Sequence, residues 1–198
     1  MSMSDNKEIR SLPASGLEIR KANGKRTLVG VAAPFNSLSV NLGGFRERIQ
    51  PGAFSASLRS NPDVILSADH TPTASKILAR TSAGTLQLRE DPNQGLMLTA
   101  DLPQTTFADD IVESISRGDL QGLSISFVAD DDDWQDTSDG VIRTLRSVNL
   151  GSEISLVCNP AYTATSVSLR SAPESIRHLL TPDDDTILAV ILAKRKQF

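Results

Sequence analysis

One cysteine, two histidines, one tryptophan and one tyrosine stand in 198 residues, and each scarcity removes a class of reading. Cys158 alone cannot close an internal disulfide, and two histidines with one cysteine are too few for the usual structural zinc sites. No HExxH-like spacing offers a mixed site, so neither a metal nor a cofactor is expected. Aromatic residues make up 4% of the chain, which leaves little to stack against single-stranded nucleic acid. The formal net charge of -4 argues against a phosphate-binding surface, so no nucleic-acid partner is expected. No apolar run approaches the roughly 20 residues that span a bilayer, and no membrane partner is expected. The opening "MSMSDNKEIR" lacks the apolar core of a secretory signal, which points to a cytoplasmic protein.

What is present suits one domain with a full core. Residues 1–16 are polar, serine-rich and without period, and read as a mobile N-terminal arm. "RTLVGVAAPFN" is a β-rich run that ends where Pro34 removes a ladder donor. "DVILSADH" reads as a strand with two polar residues at its exit, and "AFSASLRS" as a short helix. "TLQLRE" and "GLMLTADL" alternate, and "DPNQG" between them has the turn chemistry of a hairpin. From Thr105 the period lengthens. Thr105 or Thr106 can cap a helix with Asp109 and Asp110 in its first turn, and Phe107, Ile111 and Ile115 form its buried stripe. Arg117 and Gly118 close it.

Strand signals resume in "GLSISFVA", "VIRTLRSVNL" and "EISLVC", and the alternating "TATSVSLR", residues 163–170, reads as a last strand. The acidic block "DDDDWQDTSDG" would be costly inside a strand and reads as a solvated loop. Residues 171–198 differ in kind: "APESIRHLL" and "DDDTILAVILAKRKQF" read as helices, the second with charges that suit the helix dipole. Many short strands around one or two helices indicate an antiparallel β-barrel or another mainly β, α+β domain.

Three features could carry chemistry. His70 follows Asp69 at a strand exit, where imidazole can act as a general base, although most such histidines are surface or core residues. Ser124 and Ser126 lie two apart and share a strand face, opposite Leu123, Ile125 and Phe127. As a nucleophile, either serine needs a base within reach and an oxyanion site; as a bland pair, they are edge-strand polar residues. The absence of a GxSxG elbow disfavours an α/β-hydrolase. Glu153 precedes an apolar strand closed by Pro160; it is an ordinary exposed charge or a carboxylate that orients a histidine. Spacing alone does not bring the three together.

At these residues the chain resembles the tailed-phage prohead proteases, capsid maturation enzymes related to herpesvirus assemblin. The resemblance runs over about residues 17–170, through "GVAAPFN", "GFRERIQPGAFSASL", "DHTPTASKILAR", "GLMLTADLP", "DIVESISRGDLQGLSISF" and "SEISLVCNPAYTATSV", in that order. It implies a protease domain over 17–170, between the arm and a helical C-terminal tail. The implied fold is a closed antiparallel β-barrel flanked by helices. It implies that His70 is the general base, Ser124 the nucleophile and Glu153 the third member of a Ser-His-Glu triad. His70 Nε2 is then expected within hydrogen-bond reach of Ser124 Oγ, and the Glu153 carboxylate near the other imidazole nitrogen. Backbone N–H groups, with Arg143, Arg146 or Arg170 as candidate helpers, would form the oxyanion site.

Relatives commonly have glycine at the position of Ser126, and Ala79 stands where a glycine is usual. His178 lies outside the matched region and reads as a surface residue. The implied activity is a serine endopeptidase acting on the major capsid protein, the scaffold protein and itself. The implied place is the assembling procapsid in the bacterial host cytoplasm, and the implied form a homo-oligomer such as a dimer. The rival readings are a non-catalytic assembly module on a protease fold and an esterase-like hydrolase using the same three residues.

Overall fold

In the computed structural model, which describes residues 7–13, 15–158, 172–177 and 179–180, the long alternating runs become two sheets. The described strands are β1 (Glu8–Pro13), β2 (Ser15–Ala22), β3 (Lys25–Pro34), β4 (Phe45–Ile49) and β5 (Ile65–Ala68). After them come β6 (Ala79–Arg80), β7 (Leu86–Asp91), β8 (Gly95–Asp101), β9 (Gly122–Thr137) and β10 (Gly140–Val157). The described helices are α1 (Ser55–Arg59), α2 (Thr106–Arg117) and α3 (Glu174–Arg177).

The smaller sheet has the order β2-β3-β8-β7, all antiparallel. The larger runs β1-β9-β10-β5-β6, with β4 also paired to β10. Its organiser is the β9–β10 hairpin: β9 lines one side of β10, while β4 and then β5 pair parallel along the other. Among the described residues each sheet ends in edge strands that do not meet, so the expected closed antiparallel β-barrel is not what forms; the fold is mainly β with two open sheets. Alternation in a sequence fixes which side chains share a face, but not whether the first and last strands of a sheet meet. The two parallel pairings were equally invisible to it.

One apolar core joins both sheets. Leu28, Leu96, Leu98 and Ala100 come to it from one sheet, and Leu66, Leu123, Ile125, Phe127, Ile154 and Leu156 from the other. Helix α2 adds Ala108, Ile111, Val112 and Ile115. Each fully buried aliphatic side chain of this kind contributes about 1.5–3 kcal/mol relative to exposure. The helix is bounded as its sequence indicates: the Thr105 hydroxyl accepts from the Ala108 N–H, and Gly118 takes a left-handed φ of 80°. No helix among the described residues is long and apolar enough to cross a membrane.

Two further expectations change. Glu8–Pro13, inside the segment read as a mobile arm, is β1 and pairs with β9 from Glu8↔Phe127 to Pro13↔Gly122. The acidic block is not a loop: β9 runs through it to Thr137, and β10 continues unbroken where two strands were expected. Both corrections have one cause, a buried charge cluster. Arg143 donates to both oxygens of Glu8, at 2.8 and 2.9 Å, to Glu47 at 3.0 Å and to Asp132 at 2.7 Å. Arg10 donates to Glu47 at 2.8 and 3.0 Å and to Glu8 at 2.5 Å.

Arg10 and Arg143 also lie over the Phe127 and Trp134 rings. Burial alone would pull the Arg143 pKa down, but the Glu8 hydrogen bond and the charges of Glu47, Glu8 and Asp132 outweigh it and hold it raised. Within the acidic block, Asp132 and Asp133 are paired across the hairpin with Arg143 and Arg146, while Asp130, Asp131 and Asp136 stay exposed on the strand. The expected strand at 163–170 and helix at 183–198 lie outside the described residues, and of "APESIRHLL" the described helical part is α3.

Candidate active site

The larger sheet lines up four serines. Ser11 of β1 pairs with Ser124 of β9, Ser124 with Ser155 of β10, and Ser155 with Ser67 of β5. They lie on the face away from Leu123, Ile125 and Phe127, because neighbours along a strand point to opposite sides. Ser67, Ser124 and Ser155 are each 0% exposed. Just beyond β5 the chain turns sharply, with Asp69 and His70 both at φ 52°, in the left-handed region. Such residues cost about 1–3 kcal/mol each and persist only where the surroundings hold them. Here the Asp69 N–H donates to the Leu156 carbonyl at 3.0 Å, and the His70 N–H to Ser155 Oγ at 2.8 Å.

Glu153 comes to the same place by a bulge. Between the pairs Leu150↔Phe127 and Ile154↔Ile125, Gly151, Ser152 and Glu153 lie opposite Ser126 alone. Bulges of this sort re-aim side chains beside functional sites. Gly151 permits it: a Cβ there would sit 2.8 Å from the Ser126 carbonyl oxygen. The re-aimed carboxylate accepts a 2.5 Å hydrogen bond from Ser67 Oγ through Oε1, and its Oε2 lies 3.7 Å from His70 Nδ1. His70 is partly open and Glu153 mostly covered, with side-chain exposures of 31% and 12%.

The structure thus brings Glu153 and His70 together. Ser124 stands one strand from Ser155, the residue that holds the His70 backbone, but the expected hydrogen bond to His70 is not made. Ser124 Oγ is buried and makes no hydrogen bond at all. Ser126 differs: its hydroxyl donates to the Glu153 carbonyl at 3.3 Å. The two serines of "GLSISF" are therefore not interchangeable, since one is tied to the backbone and one is not. Arg143 is committed to the charge cluster, and Arg146 pairs with Asp133 at 3.0 Å. Seven or more residues before Glu153 on β10, they stand roughly 20 Å or more away along the strand. Neither serves this site; Arg170 and His178 lie outside the described residues. Among the described residues no group of three His, Cys, Asp or Glu is placed to hold a metal ion.

A family model described as caudovirus prohead serine protease matches residues 15–179. The chain belongs to that family. Its structure is similar to that of the bacteriophage T4 capsid assembly protease, gp21, with a TM-score of 0.53 at 12% identity. The match covers 78% of this chain and 98% of that one, and it concerns the fold. A comparison with curated proteins finds no match. Ser67 and Ser155, which contact Glu153 and the His70 backbone, were not among the expected site residues. Their signal was there: Ser155 is two residues after Glu153 and so on its face, and Ser67 is three before His70.

Proposed function

We propose that this protein is a serine endopeptidase that cleaves capsid and scaffold proteins, and itself, inside an assembling phage procapsid in the bacterial host. Ser124 is its nucleophile, His70 its general base and Glu153 the carboxylate that orients the imidazole. One observation carries the assignment: in a chain of this family, a carboxylate stands 3.7 Å from His70 Nδ1 while the buried hydroxyl of Ser124 has no hydrogen bond. Buried polar groups are almost always paired, and an unpaired one calls for an explanation. Of the two found among the described residues, the Trp134 indole N–H and the Ser124 hydroxyl, only Ser124 is the strand partner of Ser155, which holds His70.

In the reaction, Ser124 Oγ attacks the peptide carbonyl carbon as its proton passes to His70 Nε2. Glu153 stabilises the resulting imidazolium through Nδ1. The tetrahedral intermediate collapses with the imidazolium proton going to the leaving amine. Water, activated by the same imidazole, then attacks the acyl-enzyme and frees Ser124. Backbone N–H groups supply the oxyanion donors, since Arg143 and Arg146 are engaged elsewhere.

A second reading, a non-catalytic assembly module on the same fold, draws on the complete burial of Ser124. Co-expression with the cognate capsid and scaffold proteins separates the two. Wild type is expected to yield shortened capsid and scaffold bands, and Ser124→Ala full-length ones only. Identical band patterns from the two would overturn the protease assignment. Loss of cleavage in Ser126→Ala with Ser124→Ala still active would exchange the roles of the serines.

A further inference from the structure

We propose that Ser67 and Ser155 are positioning residues of this site, Ser67 fixing the carboxylate of Glu153 and Ser155 the backbone of His70. The proposal rests on the assignment of His70 and Glu153 made above. A glutamate carboxylate rotates about its last bond, and either oxygen can face the imidazole. Ser67 removes that freedom. Its hydroxyl can donate to Oε1 at 2.5 Å, a short charge-assisted bond, which leaves Oε2 facing His70 Nδ1. Ser67 is fully buried, so water does not compete for the carboxylate from that side.

Ser155 acts on the other half of the pair. His70 and Asp69 both hold left-handed backbone conformations, which side chains disfavour. The buried Ser155 hydroxyl accepts from the His70 N–H at 2.8 Å and ties that turn to β10. Glu153 and Ser155 are two apart on β10, so one strand faces the histidine ring and holds its backbone. Ser67 and Ser155 are themselves register partners on β5 and β10. Neither serine reaches the reacting hydroxyl through any hydrogen bond. Their effect passes through His70 and Glu153.

The test uses the full chain and an alkyl fluorophosphonate probe, which labels an activated serine without a known substrate. Wild type is expected to be labelled at Ser124, and Ser124→Ala not at all. Ser67→Ala and Ser155→Ala should label on the order of 10- to 100-fold more slowly while folded by circular dichroism, because small misplacements of catalytic groups cost that much. Ser67→Thr, which keeps the hydroxyl, should recover most of the rate. Proton NMR supplies a readout that mere loss of packing would not move. The chain has two histidines, so a His178→Gln background leaves His70 alone. Its downfield Nδ1 proton should vanish in Ser67→Ala and return in Ser67→Thr.

If Ser67→Ala fails to fold, Ser67→Cys, nearly isosteric and a weaker donor, carries the same comparison. Wild-type labelling rates and an unmoved resonance in both alanine variants would overturn the positioning roles. If wild type and Ser124→Ala label alike, the assignment of Ser124 falls instead. The resonance then decides the role of Ser67 by itself, and an unmoved signal overturns it.

Discussion

Arg143 and Ser124 are both 0% exposed and sit on paired strands, yet their surroundings are opposite. Around Arg143, charge is answered by charge: Glu8, Glu47 and Asp132 surround it and Arg10 completes the set, although the indole N–H of Trp134, whose ring Arg143 covers, has no partner. Around Ser124 the backbone ladders are complete, but the hydroxyl itself is left without a partner. A saturated polar cluster resists change and fixes a register. An unsaturated one stores free energy that a substrate can release. Here β9 and β10 carry both kinds, the first at the hairpin arm and the second beside the bulge.

The comparison can be broken first at the charge cluster. Arg143→Met removes the cation that Glu8, Glu47 and Asp132 share, two of them buried, and is expected to lower stability by about 3–5 kcal/mol in urea unfolding. A loss near 1 kcal/mol would mean that water reaches the cluster and that it is not saturated. Next comes the bulge. Gly151→Ala should cost about 1–3 kcal/mol by overpacking against Ser126, and adding Ser126→Gly should recover only part, because the clash with the Ser126 carbonyl remains.

At Ser124 the sign reverses. Ser124→Ala should raise the urea midpoint by about 1 kcal/mol equivalent, since it removes a buried unpaired hydroxyl, even as cleavage stops. Destabilisation instead would show that the hydroxyl has a partner. The smallest effect belongs to the exposed edge of the cluster. Asp133→Asn breaks a pair with Arg146 whose side chains are 28% and 46% exposed, and should cost less than about 1 kcal/mol, declining with salt.

How much of this the residues announce depends on the range of the interaction. The α2 cap and stripe and the β7–β8 hairpin are local, and their residues declare them within a dozen positions. The approach of Glu153 to His70 is implied by the family resemblance rather than by spacing, and the two groups stand 3.7 Å apart. What could not be read is settled by partners far away in the chain. Glu8 answers Arg143 across 135 residues, so β1 looked like an arm. The acidic half of β9 looked like a loop because its run of charges masked the pairing of Asp132 and Asp133 with Arg143 and Arg146 in the next strand. The closed barrel failed for the same reason, because strand patterns carry no information on whether edges join. The missing Ser124–His70 hydrogen bond is a matter of side-chain placement, finer than any spacing rule.

The bulge at Gly151–Glu153 has a consequence for how this protein can vary. Together with the irregularities at Leu145/Ser147 and Ser147/Val148, it separates β10 into stretches that keep their own phase against β9. An insertion at the hairpin tip, beyond the Asp132–Arg143 pair that fixes the register there, need not reach Ile154. The tip can thus change in length and sequence while Ser124 stays opposite Ser155.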